Sequence, residues 1–221
     1  MTIKNDKIRI LGKGITALAL KDKFPNATLY DDKDFENYDL QSEELTVVSP
    51  GIPPYNNMVL NSKNVVSDYD LFEDIIPFSI WISGTNGKTT TTQMCQHLLK
   101  EYNSVCGGNI GIPLSHMDEK APIWILETSS FTLHYTNKAK PNIYLLLPIS
   151  EDHITWHGSF KEYQDAKLKP LTLMNENEIA IIPEEFKDIK TNAQVITYKN
   201  SDDLCEYFKI DKSKIKFKEP F

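Results

Sequence analysis

Short apolar runs broken by turn residues set the pattern of the first third of the chain. Residues 7–11 (KIRIL) read as a strand, followed by Gly12-Lys13-Gly14 and a helical segment from Ile15 to about Lys23. Residues 27–30 read as a second strand closing on Asp31 and Asp32, and residues 45–48 as a buried strand running into Ser49-Pro50-Gly51-Ile52. This alternation of strand and helix favours a mostly parallel α/β sheet. A second unit begins near Pro77. Residues 79–83 (SIWIS) are a β-rich run that feeds Gly84-Thr85-Asn86-Gly87-Lys88-Thr89. Residues 90–101 then carry Met94, Cys95, Leu98 and Leu99 at the spacing of one helix face. Residues 122–126 (PIWIL) and 142–147 (NIYLLL) are unbroken apolar runs, the pattern of central parallel strands covered on both faces. Ser159 is placed to cap a helix running to about Lys169, with Pro170 limiting its length, and residues 178–182 and 194–198 read as two more strands.

The two apolar runs end at once in polar residues, Glu127-Thr128-Ser129-Ser130 and Ser150-Glu151-Asp152-His153. Ligands of open α/β sheets sit outside the carboxyl ends of the strands, so three polar clusters at three strand ends predict one site. The loop at 84–89 is an anion cradle: glycines let backbone N–H groups approach phosphate oxygens, and the helix start adds its positive end. Lys88 is placed to set a charge on the β- and γ-phosphates of a nucleotide, and the Thr89 hydroxyl to ligate Mg²⁺. The loop is a short G-x-x-G-K-T form, because Ile82 stands where the longer phosphate-loop pattern has its first glycine. Glu127 and His153, just past what read as neighbouring strands, are candidates to share a divalent cation. Hard-ligand preference makes Glu127 the better Mg²⁺ ligand, and His157 competes with His153 for the histidine role.

Charge sharpens this picture. The 221 residues include 24 Lys+Arg and 31 Asp+Glu, a formal charge of −7. Broad coating of nucleic acid or of an anionic membrane is excluded, and any phosphate must be held by a local site. With 40% hydrophobic and 25% charged residues the chain is ordinary globular protein, of a length that fits one large domain or two small ones. Three widely spaced cysteines (Cys95, Cys106, Cys205) predict free thiols in a reducing compartment. No apolar run reaches the length of a membrane span, and the N-terminal MTIKNDKIRI lacks the apolar core of a secretory signal.

Five motifs occur in order: 84–89 (GTNGKT), 107–113 (GGNIGIP), 127–133 (ETSSFTL), Glu151-Asp152-His153 and Ala166-Lys167-Leu168. Their order and spacing resemble the Mur ligases of peptidoglycan synthesis, from about residue 8 to residue 183. Within the family, SPGI at 49–52, GGNIGIP and the SSF after Glu127 resemble the branch that adds D-glutamate to UDP-N-acetylmuramoyl-L-alanine. The resemblance implies a small Rossmann-like domain over residues 1–77 for the UDP part of that substrate. A P-loop-type ATP-binding α/β domain with a mostly parallel sheet follows over 78–221. It places Ile15 and Thr16 around the diphosphate, Gly51 near the uracil, and Asn109 and Ser129 on the muramoyl part. Asp32 and Lys33 stand where a family member carries a Thr-Arg pair, so Lys33 offers a charge without the arginine fork. The lone G-x-G at 12–14 lacks the third glycine of a dinucleotide site.

The resemblance also assigns ATP to Gly84, Thr85, Asn86, Gly87, Lys88, Thr89 and Thr90, and two Mg²⁺ to Thr89, Glu127, His153 and a carbamate formed from CO₂ on Lys167. Lys88, Glu127, His153 and Lys167 make up the implied catalytic set. The implied reaction activates a substrate carboxylate with ATP as an acyl phosphate, which the amine of D-glutamate then attacks. The family has a third, C-terminal domain that binds D-glutamate, and this chain stops before it. The expectation is a cytoplasmic bacterial enzyme fragment that binds its UDP-ligand and turns over little or nothing alone. Two other readings fit part of the pattern: another Mur ligase or a folylpolyglutamate synthetase, and a nucleotide-binding module without catalysis.

Overall fold

β1 (Ile8–Leu11) is a strand buried along its whole length, Arg9 included, whose guanidinium donates to the Asp39 carbonyl at 2.7 Å and the Thr46 hydroxyl at 2.9 Å. Parallel partners flank it, β2 (Thr28–Tyr30) on one side and β3 (Leu45–Val48) on the other. The computed structural model describes residues 8–214, so Lys7 of the expected first strand and the chain end at Phe221 lie outside the described residues. α1 (Ile15–Lys23) follows β1 and buries Ala17, Ala19 and Leu20. Further on come α2 (Asn57–Leu60), β4 (Val65–Val66) and α3 (Asp68–Leu71), and β4 completes a four-stranded parallel sheet in the order β2-β1-β3-β4.

The second sheet has six strands: β5 (Phe78–Ser83), β6 (Ser104–Gly108), β7 (Ile123–Glu127), β8 (Ile143–Leu146), β9 (Ile179–Pro183) and β10 (Gln194–Tyr198). All its pairings are parallel and the order is β10-β9-β8-β5-β7-β6. The class is α/β, as the alternating pattern predicts. The connections supply α4 (Lys88–Leu98), α5 (Ser130–Tyr135), α6 (Ile154–His157), α7 (Phe160–Leu173) and α8 (Ser201–Tyr207). Trp81 and Trp124 sit fully buried in one apolar cluster that also takes in Ile8, Ile10 and Val47 of the first sheet.

Three sequence expectations need correction. β7 and β8 are not neighbours, because β5 pairs with both and lies between them. The phosphate loop is therefore central, with one polar cluster on each side. The expected face of α4 is rotated. Cys95 and Leu99 pack on Ile80, Ile82 and Ile125, and Thr92 is buried, whereas Met94 and Leu98 are 41% and 73% exposed. Finally, Pro170 does not end its helix. It lacks the N–H that would reach the Ala166 carbonyl, a loss of about 3 kcal/mol in an open helix. Here it lies on the buried face with Tyr163, Ala166, Lys167 and Leu171, and the Tyr144 hydroxyl donates to the Lys167 carbonyl at 2.6 Å. Packing of that face carries the helix on to Leu173.

Polar clamps join the two sheets. The Asp70 carboxylate accepts the backbone N–H groups of Asn137, Lys138 and Ala139 at 2.7, 2.8 and 2.9 Å. The Tyr135 hydroxyl donates to the Ile52 carbonyl at 2.8 Å, and the Ser67 and Thr136 hydroxyls lie 2.8 Å apart. Asp70→Ala is expected to lower the unfolding free energy by about 2 kcal/mol, the worth of partly exposed charge-assisted bonds. A urea midpoint equal to that of the parent chain would show that the clamp contributes nothing. Among the described residues, no helix is long and apolar enough to cross a membrane, and the three cysteines are free.

Candidate active site

The loop after β5 is shaped by two glycines with positive φ. Gly84 (φ +141°) leaves no room for a side chain: a Cβ there would stand 2.5 Å from the Cβ of Leu147. Gly87 (φ +82°) caps the start of α4 without any side-chain hydrogen bond, so the first-turn N–H groups are left to a ligand. Thr85 ties the loop to the end of β8. Its N–H donates to the Pro148 carbonyl at 3.1 Å, and its hydroxyl accepts the Ser150 N–H at 2.9 Å and meets the Tyr163 hydroxyl at 2.9 Å. Lys88 folds back on its own loop, donating to the carbonyls of Gly84 (3.0 Å) and Thr85 (2.8 Å). Burial lowers its pKa, against the opposing pull of the Glu127 and Asp152 charges. Asn86 and Thr90 are exposed beside it.

At the end of β7, Glu127 is buried and both its carboxylate oxygens are engaged. Thr89 Oγ1 donates to Oε2 and Asn109 Nδ2 to Oε1, each at 2.7 Å. The Asn109 N–H also bonds the Glu127 carbonyl, at 2.9 Å. A hydroxyl and a carboxylate this close are two adjacent hard oxygen donors, the set that Mg²⁺ takes. Lys88, the glycine cradle and this pair therefore fit a Mg²⁺-bound nucleotide.

Lys167 is only 1% exposed. Its Nζ donates to the same Gly84 carbonyl at 2.7 Å and lies 4.8 Å from the centre of the Tyr163 ring. Burial, helped by the Lys88 charge, pulls its pKa down to about 7. His153 begins α6 with a left-handed backbone (φ +52°) and a half-exposed ring that rests on Phe131, its Nε2 3.5 Å from Asp152 Oδ2. His157 is instead turned inward. Its Nε2 meets the Ser130 hydroxyl at 3.0 Å, its Nδ1 has no partner, and burial pushes its pKa down to about 4. Among the described residues, no three His, Cys, Asp or Glu side chains converge as a ready metal cluster. The structure thus brings Lys88, Thr89, Asn109, Glu127 and Lys167 together around the loop after β5, with His153 standing off at the end of β8.

A cleft of about 290 Å³ opens between the two sheets. Gly14, Ile15 and Thr16 at the start of α1, Gly51, and Asn109 all line it. Ser129 does not. Its hydroxyl caps α5 by accepting the Thr132 N–H at 3.1 Å. Lys33 is exposed and lies outside the lining, and the Asp32 side chain lies outside the described structure.

The family model for the Mur ligase middle domain matches residues 82–219. The chain belongs to the Mur ligase family. It is 47% identical to the UDP-N-acetylmuramoylalanine--D-glutamate ligase of Campylobacter jejuni (strain RM1221), over 97% of this chain and 58% of the relative. It is 43% identical to the enzyme of the same name from Helicobacter pylori (strain J99), over the same shares. The chain thus spans a little under three-fifths of the length of these relatives. In fold it is similar to the UDP-N-acetylmuramate:L-alanyl-gamma-D-glutamyl-meso-diaminopimelate ligase of Neisseria meningitides, with a TM-score of 0.54, 12% identity, and 88% of this chain and 78% of that one covered.

For this Mur ligase chain, the sequence assigns no individual role to several groups at the site. Asp152 projects its charge toward Lys88 and Lys167. Tyr163 holds Thr85 and underlies Lys167, and its position four residues before that lysine on a helix was the available signal. Tyr69 and Asp68, on the cleft wall, carry no sequence signal that separates them from ordinary core residues.

Proposed function

We propose that this chain carries the ATP and UDP-substrate sites of an amide ligase that joins D-glutamate to UDP-N-acetylmuramoyl-L-alanine through an acyl phosphate. Two domains, residues 1–77 and 78–221, share the work. The observation that carries the reading is the glycine loop after β5, with Lys88 folded on its carbonyls and Thr89 bonded at 2.7 Å to Glu127. The relatives named for this reaction support the choice of substrates.

In this reading Gly84, Thr85, Asn86, Gly87, Lys88, Thr89 and Thr90 hold the ATP phosphates. Lys88 exchanges its loop carbonyls for phosphate oxygens and spreads the charge that builds up when an anionic carboxylate approaches an anionic phosphate. Thr89 and Glu127 would hold one Mg²⁺, and His153 with a carbamate on Lys167 a second; bound metal would withdraw charge from the phosphoryl oxygens. Asn109 keeps Glu127 oriented from the other side. A neutral Lys167 amine carries the lone pair that CO₂ needs, and its burial keeps much of it neutral near pH 7. The cleft residues Ile15, Thr16, Gly51 and Asn109 take the UDP-sugar, with Asp32, Lys33 and Ser129 as further contacts. The cytoplasm supplies such nucleotide precursors and suits three free thiols.

Calorimetric titration with a non-hydrolysable ATP analogue and Mg²⁺ tests the assignment. Lys88→Ala should weaken binding about 100-fold, the worth of a partly desolvated charge on a polyphosphate. Equal affinities of variant and parent would remove ATP from this loop.

A further inference from the structure

His153 opens α6 in a left-handed conformation (φ +52°), which costs a non-glycine residue energy and persists only where its surroundings hold it. Asp152 accepts its backbone N–H at 2.8 Å and lies 3.5 Å from its Nε2. The ring rests on Phe131 at 4.8 Å and meets Tyr163 edge-on at 6.0 Å. α6 is a single turn, and the N–H groups of Trp156 and His157 both return to the His153 carbonyl, at 3.0 and 3.1 Å. So short a turn is fixed by its side chains. His157 bonds the Ser130 hydroxyl at 3.0 Å. Trp156 reaches further. Its ring lies 4.6 Å from that of Phe131, and it packs against the cluster that joins Leu11 and Val48 of the first sheet to Ile52, Met58 and Tyr135. The Tyr135 hydroxyl closes this seat on the Ile52 carbonyl at 2.8 Å. Among the described residues the buried Trp156 Nε1 has no acceptor. Phenylalanine would bury no such N–H, so filling the core does not by itself explain a tryptophan here. The larger ring spans Phe131 and the cluster together.

We propose that Trp156 is a positioning residue for His153: it seats α6 against the cluster of the first sheet and backs Phe131, the ring on which the His153 imidazole rests. The inference rests on the second metal site proposed above and assigns what orients its histidine. A ligating imidazole takes its direction from the groups around it, and losing such a partner weakens metal binding about 10- to 100-fold. Thr89 and Glu127 are held to each other by their own bond, away from this stack.

Titration with Mn²⁺, followed by electron paramagnetic resonance of the free ion, tests it on the chain with one equivalent of a non-hydrolysable ATP analogue and bicarbonate. The parent should take up two Mn²⁺. Trp156→Ala should weaken the second about tenfold and leave the first within about twofold. His153→Ala should show the same selective loss, and the double variant no more than that, because both changes act through one ligand. Trp156→Phe keeps an aromatic face toward Phe131 and should fall between parent and alanine variant. It also serves as the test if the alanine variant fails to fold. Parent affinities at both sites in the Trp156 variants overturn the inference alone. Equal losses at the two sites overturn it too, since they mark a structural role, as do losses that add in the double variant. A parent chain that takes up a single Mn²⁺ overturns the second metal site and this inference with it.

Discussion

Lys167→Met is expected to make the protein more stable at pH 7 and to flatten its stability between pH 7 and pH 10. Burial brings the folded-state pKa of this lysine from 10.5 to about 7. Across that window the unfolded chain binds a proton that the folded chain does not, so stability rises with pH. Below about pH 7 both states are protonated, and the full penalty of the buried charge is present. Methionine fills a similar volume without the charge. The gain should be of order 3 kcal/mol at pH 6, after allowing for the lost bond to the Gly84 carbonyl. Lys88 also donates to that carbonyl, so it is not left bare. Urea unfolding at intervals from pH 6 to pH 10 measures this, and a parent chain whose stability is flat over the range rules it out. The same variant tests the carbamate. ¹³C-bicarbonate should give a protein-bound carbamate resonance in the parent that grows as pH rises through 7 and is missing from Lys167→Met.

Gly84→Ala should destabilise the fold by about 3 kcal/mol or more. The φ of +141° disfavours any side chain, and the new Cβ would meet the Leu147 Cβ at 2.5 Å and its Cα and carbonyl oxygen at 3.1 Å. Relief requires the loop to move away from β8. The Gly84 carbonyl, which receives both Lys88 and Lys167, moves with it. Nucleotide affinity should therefore fall even at temperatures where the variant is fully folded. Gly14→Ala is the control: its backbone is extended (φ −77°) and a Cβ there meets nothing within 4 Å. Urea midpoints of the two variants that coincide would show that the close approach to Leu147 carries no energy.

Much of the architecture was legible along the chain because it depends on near neighbours. A β-rich run announced β5 and unbroken apolar runs announced β7 and β8, and the run 194–198 is β10 to the residue. The glycine, lysine and threonine order of 84–89 announced a strand-to-helix phosphate loop, since those residues act on each other's backbone. Where two distant segments meet, the pattern was silent. The sheet order sets β5 between β7 and β8, and parallel pairing across a helical crossover leaves no local mark. The helix continued through Pro170 because its buried face packs, a gain that outweighs a local rule.

The chemistry divides in the same way. By itself the sequence determined which groups are available at the strand ends: Lys88, Thr89, Glu127 and His153; Lys167 stood out only through the family resemblance. Tertiary structure alone decided their state. Lys167 is dry and its pKa is drawn down to about 7 because the fold buries it against the loop of Gly84, 83 residues earlier in the chain, beside the Lys88 charge. Asp68 is a buried acid on the wall of a cleft that it shares with the loop after β6. Desolvation depends on every atom brought near a group, and those atoms come from segments far apart in the chain.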